Sequence, residues 1–389
     1  MPQVCFENRR CDHQHLRRFC ESLFIAGGLA ASDARLVTES LVESNLRGID
    51  SHGVARIPHY LARIRTGSIN PRPNIRTEIL SPAAARVDGD HGLGQLVMHS
   101  ATMTAIQRAK EAGAGWVAVA NSSHCGALHY YGLKIAEEGM IGLVFTHVDP
   151  MVVPHGSWKP FCGTNPICIT APRTAGPAGD SENGALCLDM ATSIAPWNAV
   201  ANAACEGVPI PEGWGLDELG KPTTQADRTV ALNPFGSYKG SGLGLMIDVL
   251  CAMLSNSPFG PDIPKMYDQD LTKHRRLGGL VGAIDIGRFV PLTRFHERIA
   301  ALIARWGAMP TVEGCEKVLF PGEPELIERR RRLVEGIPVG VQMLKEFDQL
   351  AERFGLAKLE AGVESSGGVP RTHLSSLCAD GKDLSRTSV

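Results

Sequence analysis

The feature that most constrains this chain is a set of short apolar runs that do not alternate regularly with helices. Residues 116–120, 141–146, 167–170, 186–190 and 280–286 are brief, apolar and bounded by turn residues, the signature of buried strands. A helical stretch, 127–138, separates the first two, but the alternation does not continue. A parallel sheet needs a crossover between every pair of strands, so a doubly wound fold is not what this pattern demands.

The two ends read as helical. Leu16, Phe19, Cys20, Leu23 and Phe24 fall on one helical face, which Gly27 and Gly28 end. Ser32 is the expected N-cap of a second helix that turns Leu36, Leu41, Val42 and Leu46 inward and stops near Gly48. Long helices are expected near 240–254 and 293–306, and two more before Leu356. Residues 171–184, rich in Pro, Gly and Ala, read as an exposed excursion, and 356–389 as a disordered tail.

At 389 residues, 43% hydrophobic and 21% charged with a net charge of -2, the chain can bury a deep cleft and has no charge excess to attract nucleic acid. The basic run Arg329 to Arg332 follows Glu323, Glu325 and Glu328, an order that suits a helix dipole and a solvated helix face. The 11 cysteines include no Cys-x-x-Cys pair and no partner at metal-ligand spacing, so they read as reduced thiols with no metal. The longest apolar stretch, 243–254, is interrupted by Asp248 and is too short to cross a bilayer. With no secretory signal at the N-terminus, the expected compartment is the cytoplasm, with no membrane partner.

Several segments could carry chemistry. The dinucleotide fingerprint Gly-x-Gly-x-x-Gly is absent. Gly240, Gly242 and Gly244 follow Lys239, and either present amides and a lysine to a phosphate or serve tight helix packing. Residues 48–60 are the densest in useful groups: Asp50, Ser51, His52, Arg56, His59 and Tyr60. Pro58 places a helix start just before it and leaves His52 on the entry loop, where an imidazole can exchange a proton near neutral pH. Arg56 can grip a carboxylate with two parallel hydrogen bonds. Residues 121–126 (Asn-Ser-Ser-His-Cys-Gly) follow a strand, where sites are common, but Cys125 and His124 lack a third orienting group and do not read as a nucleophile with its base. Asp189, near the end of another strand, either orients an imidazole or caps a turn.

As a set, the blocks at 48–60 (GIDSHGVARIPHY), 88–95 (DGDHGLGQ), 121–126, 149–156 (DPMVVPHG), 163–166 (GTNP), 188–193 (LDMATS), Lys239-Gly240 and 321–323 (PGE) resemble the malate/L-lactate dehydrogenase family, which lacks a Rossmann fold. The resemblance runs from about residue 13 to 355. It implies a mixed α/β, non-Rossmann fold that binds NAD or NADP on a mixed, largely antiparallel sheet, with helical N- and C-terminal segments. The implied division is a helical segment at 1–75 carrying the catalytic loop, a core and substrate domain at 76–120 and 240–355, a cofactor domain at 121–239 and the tail. The implied activity is hydride transfer between a nicotinamide cofactor and a small 2-oxo or 2-hydroxy acid, in a homodimer with the substrate near the subunit boundary.

Carried over by position, His52 is the implied proton donor, supported by Ser51 and Asp189, and Arg56 holds the substrate carboxylate. Tyr60 and His124 line the pocket, and His124 is also a candidate base. Implied cofactor contacts are Val148, Gly163, Thr164, Asn165, Asp189, Met190, Ala191, Lys239, Gly240, Gly322 and Glu323. Many relatives carry basic residues where this chain has 200–206 (VANAACE), so NADH is expected over NADPH. Two alternatives stand beside this reading: a nicotinamide-dependent cyclic-imine reductase on the same scaffold, and a catalytically silent protein that binds a small acid or nucleotide.

Overall fold

The computed structural model describes residues 9–173, 185–360 and 362. The chain opens with β1 (Arg9–Cys11), α1 (His13–Ala26), α2 (Ala31–Leu46) and α3 (Ile57–Arg65). It continues through β2 (Arg76–Ser81), β3 (Ala84–Asp88), α4 (Gly94–Ala112), β4 (Ala114–Ser122), α5 (His129–Glu137), β5 (Met140–Thr146), β6 (Ile167–Pro172) and β7 (Ala185–Met190). Then come α6 (Trp197–Glu206), the short strands β8 (Gly215–Leu216), β9 (Pro222–Thr223) and β10 (Ala231–Leu232), α7 (Tyr238–Asp248) and β11 (Leu277–Asp285). The last elements are α8 (Leu292–Gly307), α9 (Glu323–Glu335), β12 (Ile337–Val339) and α10 (Val341–Phe354).

All five apolar runs are strands of one seven-stranded sheet in the order β2-β3-β4-β11-β5-β6-β7. Only the pairing of β3 with β4 is parallel; the other neighbours are antiparallel, as the absence of regular crossover helices requires. The register aligns Ser122 with Leu277, Thr146 with Gly279, Phe145 with Ile167, and Ile167 with Met190. One edge of the sheet therefore gathers the segments after β4, β5 and β7 and before β6 and β11. Helices α4 and α5 cover one face through Val97, Met98, Ala101, Leu128 and Tyr131, and Ile247 and Cys251 cover the other.

A second core joins the two ends of the chain. Leu16, Phe19, Cys20, Leu23 and Phe24 are buried, as their spacing predicts, and pack with Leu41, Val42, Leu46, Phe347, Leu350 and Leu359. Burying each such leucine is worth roughly 1.5–3 kcal/mol, which ties the C-terminal helix to the first two.

The structure changes four details. Helix α2 starts at Ala31 with Ala30 at the N-cap, so Ser32 lies inside it and bonds Asp33 instead. Strand β2 has no apolar alternation to reveal it, because every residue is exposed and pairing with β3 alone defines it, whereas β3 alternates from Ala85 to Asp88 and went unread. The expected helix over 240–254 is α-helical only to Asp248 and continues as a π turn, Val249–Met253. Beyond Leu356, Leu359 is buried at 7% exposure, so the first residues of the expected tail belong to the helical core. Residues 363–389, and 174–184 of the expected excursion, lie outside the described residues.

Candidate active site

The site begins where α2 ends. Gly48, at φ +82, reverses the chain into a 3₁₀ turn, Asp50–His52. Arg332 of α9 holds both carboxylate oxygens of Asp50 at 2.6 and 3.0 Å, and Asn45 Nδ2 donates to the same group at 2.6 Å. Within the run 329–332, Arg330 and Arg331 lie on the solvated face as expected, but Arg332 does not: it is 7% exposed and also donates to the Asn45 carbonyl. Its carboxylate partner is distant in sequence, so charge order alone could not reveal the burial. A Cβ on Gly53 would lie 2.1 Å from Asn45 Oδ1, which explains the glycine after His52.

On this turn Ser51 Oγ lies 2.8 Å from His52 Nδ1, and Arg56 Nε donates to the Ser51 carbonyl at 2.5 Å. The terminal guanidinium nitrogens of Arg56 make no hydrogen bond among the described residues, and the group lies 5.8 Å from the Tyr267 ring centroid. Helix α3 begins at Ile57 with Pro58 in its first turn, as expected.

His124 arrives from the C-terminal end of β4. Its ring stacks on His52 with centroids 5.5 Å apart and an interplanar angle of 25°. Tyr60 Oη lies 2.6 Å from His124 Nδ1, and Gln95 Nε2 donates to Tyr60 Oη at 3.1 Å. Tyr60 is fully buried, so it supports His124 from behind. Gly94 permits this approach, since a Cβ there would meet the Ser123 carbonyl at 2.3 Å.

The field around the two imidazoles is positive. Burial, then the Arg56 charge, lowers His52 to about 4, while Asp189 pulls the other way. Burial, then His52 and Arg56, takes His124 well below the usual range. Both rings are neutral at pH 7. A buried pair of Arg275 and Asp149 stands behind them, fixed by Asp149 accepting from Met266 N at 3.1 Å. Burial pushes the Cys125 thiol up to about 12, which removes it as a nucleophile. Among the described residues, no His, Cys, Asp and Glu cluster could hold a metal ion.

Of the cofactor candidates, Val148, Gly163–Asn165 and Asp189–Ala191 lie at the same end of the sheet. Val148 N donates to Asn165 Oδ1 at 3.4 Å, Asn165 Nδ2 to the Gly244 carbonyl of α7 at 2.9 Å, and Thr192 N to the Thr164 carbonyl at 2.8 Å. A Cβ on Gly163 would lie 2.4 Å from Val148 Cγ2, and one on Gly322 3.0 Å from Cys187. Asp189 bonds the amide of His129 at 2.7 Å and makes no hydrogen bond to His52, with Met190 and Ala191 half-buried after it. Glu323, at the start of α9, accepts from Phe320 N at 3.2 Å. Gly240 and Gly244 serve helix packing: the Gly240 amide donates to the Phe235 carbonyl at 3.0 Å and is not free for a phosphate. Lys239 is exposed and makes no ion pair among the described residues. Close-packed backbone at Val148 and Gly163–Asn165 and the unpaired ammonium of Lys239 are groups of the kind that would suit a dinucleotide.

Sequence reasoning gave no site role to Gln95 and Asp149, which lie within quoted blocks, or to Arg275 outside them, and it read Arg332 as part of a solvated face. A polar residue at a helix start, as Gln95 is, carries no signal of its partner until the chain folds.

The model of a family described as malate/L-lactate dehydrogenase matches residues 11–348. A malate dehydrogenase of Pyrococcus horikoshii is 35% identical over 342 residues, covering 85% of this chain and 92% of that protein. A ureidoglycolate dehydrogenase (NAD(+)) of Escherichia coli O157:H7 is 34% identical over 330 residues, with coverage of 85% and 92%. The solved structure of malate dehydrogenase from Pyrococcus horikoshii OT3 superposes with a TM-score of 0.81 at 32% identity, covering 92% of this chain and 99% of that one.

Proposed function

This chain belongs to the malate/L-lactate dehydrogenase family, and from that premise we propose that Arg56 holds the substrate carboxylate while His52 and His124 manage the proton at the reacting oxygen. The enzyme is an oxidoreductase of 2-hydroxy acids that uses a nicotinamide cofactor. The observation that carries the residue assignment is the unpaired fork of Arg56, fixed through its Nε to the backbone of the turn that presents His52.

Each group has a separable task. Arg56 binds the acid in two-pronged fashion and so fixes the carbon next to the carboxylate relative to the imidazoles. Ser51 holds His52 through Nδ1, leaving Nε2 for the substrate oxygen. The low pKa of His52 keeps it neutral and ready to accept the hydroxyl proton when a 2-hydroxy acid is oxidised; the same atom returns the proton in reduction. The nicotinamide, held by this end of the sheet, would supply the hydride acceptor or donor.

NADH is favoured over NADPH, because α6 (WNAVANAACE) has no lysine or arginine for a 2'-phosphate. The NAD(+) in the name of the ureidoglycolate relative agrees with that choice. A homodimer is supported by the solvent face of α7 and its π turn, where Leu245, Met246, Met253 and Leu254 are 50–57% exposed. Free buried thiols suit a reducing cytoplasm. The test is a panel of 2-oxo acids, with and without an amine, scored by loss of NADH absorbance. Turnover of an acid alone supports the reading, and turnover only when an amine is present assigns imine reduction.

A further inference from the structure

We propose that Gln95 is a positioning residue that fixes the tautomer of His124 through Tyr60. The argument is a proton count. A glutamine amide nitrogen only donates, so the 3.1 Å contact uses Gln95 N–H and a lone pair of Tyr60 Oη. Tyr60 has one hydroxyl proton and is fully buried, so that proton needs a protein acceptor. The acceptor within reach is His124 Nδ1, at 2.6 Å. With the Gln95 amide oriented as it is, a proton on His124 Nδ1 would be donated to Tyr60 and leave the tyrosine proton without an acceptor among the described residues. With Gln95 Nε2 turned to Tyr60, the arrangement that pairs both the tyrosine and the imidazole has Tyr60 donating to Nδ1 and the neutral His124 ring protonated at Nε2, while Gln95 Oε1 is left without a partner.

This divides the labour between the two stacked imidazoles. Burial and the neighbouring charges keep His124 neutral, so its tautomer decides whether it offers a donor or an acceptor. With the proton on Nε2, His124 is an N–H donor to the substrate oxygen, and His52 is the group that takes the proton away. Gln95 is fully buried and acts through Tyr60. The catalytic consequence rests on the oxidoreductase reading of this cleft, whereas the tautomer does not.

The test has two arms. Nitrogen NMR of the native protein, with His124 assigned by its loss in His124→Gln, reads the tautomer without any turnover. An unprotonated Nδ1 and a protonated Nε2 are expected, and the reverse would overturn the proposal. In the second arm, Gln95→Glu replaces the donor by an acceptor that competes for the Tyr60 proton. The expected results are a protonated Nδ1 on His124, a turnover loss of about tenfold or more and unchanged cofactor affinity. Tyr60→Phe should lose as much, and the double variant no more than Tyr60→Phe alone, because both act through one bond. Additive losses would show independent structural roles and sink the relay. Gln95→Met, which removes the donor without adding charge, serves if Gln95→Glu does not fold. A native tautomer as stated, with no turnover loss in any variant, would leave the proton count standing and overturn only the division of labour between the imidazoles.

Discussion

Arg332 grips both carboxylate oxygens of Asp50, at 2.6 and 3.0 Å, two residues ahead of His52. A helix near the C-terminus therefore holds the turn that carries His52.

His52→Ala should lower turnover by roughly a hundredfold or more, since a positioned general acid or base contributes on the order of 10² to 10⁴. Cofactor affinity, measured by fluorescence titration, should stay near the native value. If His52→Ala keeps native turnover while His124→Ala loses it, the proton transfer belongs to His124.

Arg56→Lys replaces a fork by a point charge and loses the bond that anchors Nε to the Ser51 carbonyl. One charged hydrogen bond is worth roughly 1.5–3 kcal/mol, so the Michaelis constant for the acid should rise about ten- to a hundredfold. Equal constants for both proteins across the accepted acids would remove Arg56 from the substrate site.

Stability should fall as the medium becomes acid. His52 and His59 are held near 4, against 6.5 for a free imidazole, chiefly by burial. The folded state thus binds fewer protons than the unfolded one between those values. Their stabilising contribution is complete above about pH 6.5 and is lost as the pH falls towards 4. Melting temperatures from pH 4 to 8 should show this slope, and His59→Gln should flatten it. Parallel curves for the two proteins would contradict the assignment.

Leu359 packs into the core formed by α1, α2 and α10. Leu359→Ala should cost about 2 kcal/mol or more. By the same argument a chain ended after Leu356 should unfold at lower urea than one ended after Gly362. Coincident unfolding curves would return Leu359 to the tail.

Met246, 54% exposed on α7, lies on the proposed subunit contact. Met246→Asp should yield monomers in sedimentation and a loss of specific activity. A variant that sediments as the native protein does would place any subunit contact elsewhere.

The amino-acid sequence by itself determined the elements. Apolar patterning located α1, the buried face of α2 and the strands β4, β5, β6, β7 and β11, because burial on a fixed face imposes that pattern regardless of the partner. Local chemistry likewise placed His52 on a turn and Pro58 at a helix start. Tertiary structure alone decided what those elements meet. The hairpin strand β2 is exposed throughout and has no period to read. Arg332 reads as a surface charge until α9 docks beside α2. Gln95, Tyr60 and His124 lie far apart in the chain, and the bonds that join them have no local signature. A side chain's residue type sets which hydrogen bonds it can make, but its partners are fixed only when packing brings distant segments together and withdraws water as the alternative.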